Sequence, residues 1–151
     1  MPTRRETLKR SALVAGLLAA TGLFPQYVFA FNKAAFEAKN LADVMKALGA
    51  SAPTESKEVA IGGPDIAENG AVVPLTASTT LAGVKHLLIL VEKNPSALVA
   101  QFNVTDAVDA NFATRSKMGQ SSDVYAVAIM ADGKSFFAKK EVKVTLGGCG
   151  G

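Results

Sequence analysis

DVYAVAIMADGKSFFAKKEVKVTL, residues 123–146, sets two apolar, β-branched and aromatic runs on either side of Asp132-Gly133. Such a pair of runs predicts a hairpin with strands over 123–130 and 135–146, closed by a two-residue turn that needs positive φ at Asp132-Gly133. The second strand alternates: Val142, Val144 and Leu146 fall on one face, and Glu141, Lys143 and Thr145 on the other. Upstream, further strands are predicted over 57–61, 71–77, 84–92, 97–104 and 112–118. Gly62-Gly63-Pro64, Asn69-Gly70, Asn94-Pro95 and Met118-Gly119 punctuate them. Ahead of the strands, Phe36, Leu41, Val44, Met45 and Leu48 fall near helical spacing, which predicts one amphipathic helix over 32–48 stopped by Gly49. A linker over 49–54 follows. Seven short strands at roughly ten-residue spacing after one helix predict an all-β domain, an immunoglobulin-like β-sandwich.

The amino terminus has a different composition. Arg4 and Arg5 form a twin arginine, a moderately apolar run rich in Ala, Gly and Leu spans 11–24, and Val28-Phe29-Ala30 offers small residues for a signal peptidase. These features predict a Tat-type signal peptide over 1–30, cleaved after Ala30. The apolar run is shorter than the roughly 20 residues of a spanning helix, so no membrane attachment is expected after cleavage. The address implies the periplasm. The Tat route exports folded proteins, and with no cofactor motif in the chain a bound protein partner is the expected passenger.

The chain has 16 Lys and Arg against 13 Asp and Glu. Arg4, Arg5, Lys9, Arg10 and Glu6 belong to the signal, which leaves twelve of each sign in the mature protein. The basic balance is thus a property of the signal, and no nucleic-acid or anionic-membrane surface is expected. The mature length suits one domain, residues 31–146, followed by an arm over 147–151.

Catalytic and metal chemistry find little support. The sequence holds one His and one Cys, too few for a metal site. His86 sits within an apolar strand and reads as a half-buried strand residue, and no nucleophile-elbow motif accompanies it. Asp65 and Glu68, in the loop over 62–70, lack the regular oxygen spacing of a calcium loop, so this segment reads as a turn reversing one strand into the next. Lys139 and Lys140 read as a solvated strand face.

The remaining feature is Gly147-Gly148-Cys149-Gly150-Gly151, which carries the only cysteine. Four glycines leave the backbone free to adopt either sign of φ, so the thiol is expected on a flexible arm. A lone cysteine in an oxidising compartment has no internal disulfide partner. No cation in the arm stabilises a thiolate, so Cys149 reads as an attachment point activated by other proteins rather than a catalyst. The alternatives are an exported interaction module that forms an intermolecular disulfide through Cys149, and a Gly-Gly terminus activated as a thiocarboxylate, which needs cytoplasmic ATP and conflicts with export.

Together, the Tat signal, the all-β domain, the terminal GGCGG and the stretch PDIAENGAVVP over 64–74 resemble the SoxY family, the sulfur-carrier subunit of the SoxYZ complex in the bacterial thiosulfate-oxidising (Sox) system. The resemblance covers nearly the whole chain. It implies a non-enzymatic carrier with no separate cofactor, holding sulfur intermediates covalently on Cys149. It also implies a heterodimer with a SoxZ-like subunit and transient visits to enzymes of the SoxAX, SoxB and SoxCD types. In that cycle a c-type haem enzyme couples thiosulfate to the thiol, a hydrolase releases sulfate, and a dehydrogenase oxidises the remaining sulfur.

Overall fold

The computed structural model describes residues 32–145. Arg4, Arg5 and the cleavage position Ala30 lie outside the described residues, as do Gly147, Gly148, Cys149, Gly150 and Gly151.

Two short helices open the domain, α1 (Lys33–Glu37) and α2 (Leu41–Ala47), where the spacing predicts one continuous helix. The break lies at Ala38–Asn40 and has two causes. The Asn40 side chain accepts a hydrogen bond from the Asp43 N–H at 2.9 Å, starting a new helix with its own N-cap. The residues at the break are also claimed by a distant loop: the Ala97 N–H donates to the Ala38 carbonyl at 3.0 Å, Lys39 Nζ to the Pro95 carbonyl at 2.6 Å, and the Ser96 hydroxyl to the Phe36 carbonyl. Gly49 ends α2 as expected. At φ 66° it lets its own N–H reach the Lys46 carbonyl and that of Ala50 reach Met45, which closes a Schellman motif.

Nine strands follow, β1 (Thr54–Glu55), β2 (Val59–Gly62), β3 (Ile66–Ala67), β4 (Val73–Thr79), β5 (Val84–Val91), β6 (Leu98–Asn103), β7 (Asn111–Ser116), β8 (Ser122–Met130) and β9 (Ser135–Val144). Seven of these lie where the sequence predicts strands. The two additional ones, β1 and β3, have two residues each, too short for any periodicity to show. The large sheet runs β1-β9-β8-β5-β6, with β3 also on β9, and the small sheet runs β2-β4-β7. β1 and β3 pair with β9 in parallel, and the other pairs are antiparallel.

The β8–β9 hairpin differs from expectation in its turn. The loop has three residues, Ala131 to Gly133: the Gly133 N–H donates to the Met130 carbonyl, the Met130 N–H to the Lys134 carbonyl, and only Gly133 has positive φ, at 86°. A type I turn followed by a left-handed glycine satisfies the strand twist without placing Asp132 in a strained conformation. The Asp132 carboxylate instead accepts from the Lys134 N–H at 3.0 Å.

Both central strands of the large sheet are buried on both faces. Leu87, Ile89 and Val91 of β5 join Val124, Ala126 and Ala128 of β8 against Val73, Leu75 and Ala77 of the small sheet. On the opposite face Leu88, Leu90, Tyr125, Val127 and Ile129 pack under Ala35, Val44 and Met45 of the helices. The result is three layers, helices on a large sheet on a small sheet, which is why β5 reads as an unbroken apolar run instead of alternating. Along the side where β6 and β7 form the sheet edges, Phe102 stacks on Phe112 with ring centroids 4.4 Å apart. Among the described residues no helix is long and apolar enough to cross a membrane.

Candidate functional site

The candidate arm leaves the domain at the end of β9, and the loop between β3 and β4 encloses that end. Val142 is fully buried, and the chain stays paired up to its last described residue. The Lys143 N–H donates to the Asp65 carbonyl at 3.0 Å and the Thr145 N–H to the Ala67 carbonyl at 3.1 Å, both through the parallel pairing of β3. On the other side the Val144 N–H donates to Ser121 Oγ at 2.9 Å. Residues 63–72 therefore reverse β2 into its antiparallel partner β4, as expected from sequence, and also form a collar along the end of β9.

Lys140 secures the start of this collar. Its ammonium group donates to the Gly63 carbonyl at 2.6 Å and pairs with Asp65 Oδ1 at 2.9 Å, so the expectation of a purely solvated Lys139-Lys140 face is corrected for Lys140. Lys139 does remain exposed, with a longer 3.4 Å contact to Asp123. The Lys140 hydrogen bond, and secondly its charge, hold the Asp65 carboxyl below its ordinary range. A carboxyl pKa lowered by folding adds stability above about pH 4, and that contribution disappears as pH falls through the lowered value. Acid therefore loosens this fastening.

Gly70 closes the far end. The Met118 N–H donates to its carbonyl at 2.7 Å, and a Cβ on Gly70 would lie 2.4 Å from the Met118 carbonyl oxygen and 2.8 Å from Val144 Cγ1. Its φ is not positive, so the glycine serves close approach rather than turn geometry. Because the obstructing atom is backbone, Gly70→Ala forces the collar off β9. It is expected to destabilise the domain by about 1–3 kcal/mol, the usual cost of overpacking. Urea unfolding checks this, and an unchanged midpoint would mean that the collar yields freely.

His86 is half-buried in β5, as expected. Its Nδ1 lies 2.9 Å from Asn103 Oδ1 and 3.5 Å from Gln101 Nε2, with no acid or nucleophile among these contacts. Among the described residues no group of three or more His, Cys, Asp or Glu converges as a metal site. Asp65, weighed as a calcium ligand, is occupied by Lys140.

A concavity of about 620 Å³ opens between α2 and the helix-facing side of the large sheet, bordered by Leu41, Met45, Lys46, Ala52, Glu92 and Tyr125. The Tyr125 hydroxyl donates to Glu92 Oε2 at 3.3 Å. Burial first, then the Glu92 and Asp123 charges, push the Tyr125 phenol up to about 12. It is therefore a fixed donor, not a proton shuttle, at neutral pH. A raised phenol pKa contributes stability that is complete below about pH 10 and is lost as pH rises toward 12. Tyr125 is the only tyrosine after residue 30, so phenolate absorbance of a protein that begins at Phe31 reports it alone. Glu92→Gln is expected to lower the native titration midpoint without restoring the ordinary value, because burial is the larger cause. A native midpoint near 10 would contradict this environment.

The architecture matches known proteins at two levels. No curated protein sequence matches the chain. Among solved structures, a single-substitution variant of the superoxide reductase (neelaredoxin) from Ignicoccus hospitalis is similar with a TM-score of 0.52 at 16% identity, covering 60% of this chain and 82% of that one. At that identity the likeness concerns the sandwich alone. The sulfur carrier protein SoxY from Chlorobium limicola f thiosulfatophilum is similar with a TM-score of 0.64 at 35% identity, covering 71% of this chain and 97% of that one. The family described as sulfur oxidation protein SoxY matches residues 44–149, a stretch that takes in both the collar and Cys149. Since sequence and fold agree over nearly the full length of the Chlorobium protein, the chain belongs to the SoxY family.

Proposed function

We propose that this protein is a periplasmic sulfur carrier of thiosulfate oxidation, holding pathway intermediates on Cys149 and presenting them to separate enzymes. The observation that carries the reading is the course of the chain. A strand pinned on both sides to Thr145 leads within four residues to the sole cysteine, in a protein of the SoxY family. The sandwich serves as the rigid body and the glycine-rich arm as the delivery element. Residues 147, 148, 150 and 151 carry no side chains, so the thiol can enter a narrow channel that a substituted backbone would obstruct.

The cycle begins when the Cys149 thiol and thiosulfate form a sulfur–sulfur bond. The thiol proton goes to solvent and two electrons go to a haem enzyme of the SoxAX type. The product is a cysteine S-thiosulfonate. Water then attacks the terminal sulfone sulfur on a hydrolase of the SoxB type, releasing sulfate and leaving a persulfide on Cys149 for oxidation by a SoxCD-type dehydrogenase. The protein supplies no catalytic group to these steps. A SoxZ-like subunit is the stable partner, acquired before Tat export through the signal bearing Arg4 and Arg5 and cleaved after Ala30.

The decisive measurement is the intact mass of the tail peptide after incubation with thiosulfate and the coupling enzyme. Added sulfur on the Cys149 side chain supports the carrier reading. Sulfur at the Gly151 carboxylate, or a disulfide-linked protein in its place, supports one of the other two readings and excludes this one.

A further inference from the structure

Six residues follow Thr145, and Cys149 is the fourth. At no more than about 3.6 Å per residue, the Cys149 Cα stays within about 14 Å of the Thr145 Cα whatever path the arm takes. An enzyme that meets this thiol below its own surface must therefore rest on the carrier around Thr145.

The collar forms that surface, and it displays two of the three large apolar side chains that are exposed among the described residues. Ile66 is 57% exposed and Val72 51%. Ile66 stands opposite Lys143 in the β3–β9 register, next to Ala67, whose carbonyl receives the Thr145 N–H. Val72 follows Gly70 by two residues, and Gly70 packs against Val144. Ile66 is one strand spacing and two residues from Thr145, about 12 Å and so within the arm's reach, and Val72 borders the same collar next to Gly70. A single exposed valine needs no explanation, but two large apolar groups at the one place where a visiting protein is obliged to sit do.

We propose that Ile66 and Val72 are the contact pair through which the collar seats the apolar rim of enzymes that process sulfur on Cys149. The inference rests on the carrier reading above. It adds that recognition resides on the folded domain as well as on the arm. The collar's bonds to β9 keep this pair at a constant offset from the pivot of the arm, so that docking on them aligns the thiol with a recessed active site.

The third exposed residue, Val108 at 46%, provides a control. It lies in the loop after β6, whose Asn103 pairs with His86, His86 with Ile129 and Ile129 with Ser135, which places it at the end of the sandwich where β9 begins, opposite the arm.

The test uses the mature protein complexed with its partner subunit, loaded as the Cys149 S-thiosulfonate, and a purified SoxB-type hydrolase. Ile66→Asp/Val72→Asp is expected to lower kcat/KM about tenfold or more, through KM, while Val108→Asp leaves it within about twofold. The milder Ile66→Ser/Val72→Thr pair, expected to fall between them, replaces the aspartates if those impair folding. Labelling of Cys149 by a small thiol reagent is expected to be the same in all variants, since the arm itself is unchanged. Wild-type kcat/KM in a folded double variant overturns the docking proposal and leaves the carrier reading intact. Failure of the wild-type protein to acquire sulfur on Cys149 overturns both.

Discussion

Replacing Cys149 with serine is expected to abolish thiosulfate-dependent electron transfer in the reconstituted system while leaving unfolding by urea unchanged. An alcohol oxygen does not form the sulfur–sulfur bond on which the first step depends, so no partner enzyme can compensate. The described fold gives no reason for a stability effect: every strand among the described residues ends by Val144, and both sides of the β9 terminus are held by backbone or Ser121 bonds that do not involve residue 149. A substitution outside the described strands and helices is expected to change stability by less than about 0.5 kcal/mol. Gly147→Val/Gly148→Val is the informative companion. It retains the thiol but adds bulk and restricts φ, so transfer should slow while chemical labelling of Cys149 persists. Thiosulfate oxidation by the Cys149→Ser protein would exclude the carrier reading.

Export is expected to show a similarly large effect. Arg4→Lys/Arg5→Lys preserves both charges of the signal but removes the planar guanidinium pair, and lysine does not reproduce its directional hydrogen bonding. Precursor should then accumulate in the cytoplasm, with little processed protein reaching the periplasm. For the wild type, amino-terminal sequencing of the exported form should begin at Phe31. Processed periplasmic protein at wild-type levels in the double variant would exclude Tat export. Because the charge count is unchanged, such a result could not be attributed to weaker electrostatics.

The sequence by itself determined the elements whose cause is local. Strands β4 to β9 show in runs of apolar and β-branched residues, and Gly49 and Gly133 mark sites where a left-handed residue ends a helix or completes a turn. The roles proposed for Cys149, Arg4, Arg5 and Ala30 rest on residue type and order rather than on packing. Tertiary structure decided what rests on partners distant in sequence. α1 and α2 separate because Ala38, Lys39 and Phe36 bond to residues near 96, almost sixty positions away. β1 and β3 exist because the outer edge of β9 offers backbone groups to pair with, and two residues carry no periodicity of their own to announce it. Asn69-Gly70 forms the turn that the sequence announces, and Gly70 is in addition required for its lack of a Cβ beside Met118 and Val144, which no sequence signal shows. Lys140 looks like a solvated charge until Asp65 and Gly63, more than seventy residues earlier, are brought against it. The proposed arm rests on composition alone, whereas the collar at the end of β9 is assembled from contacts between segments far apart in the chain, and only folding brings those together.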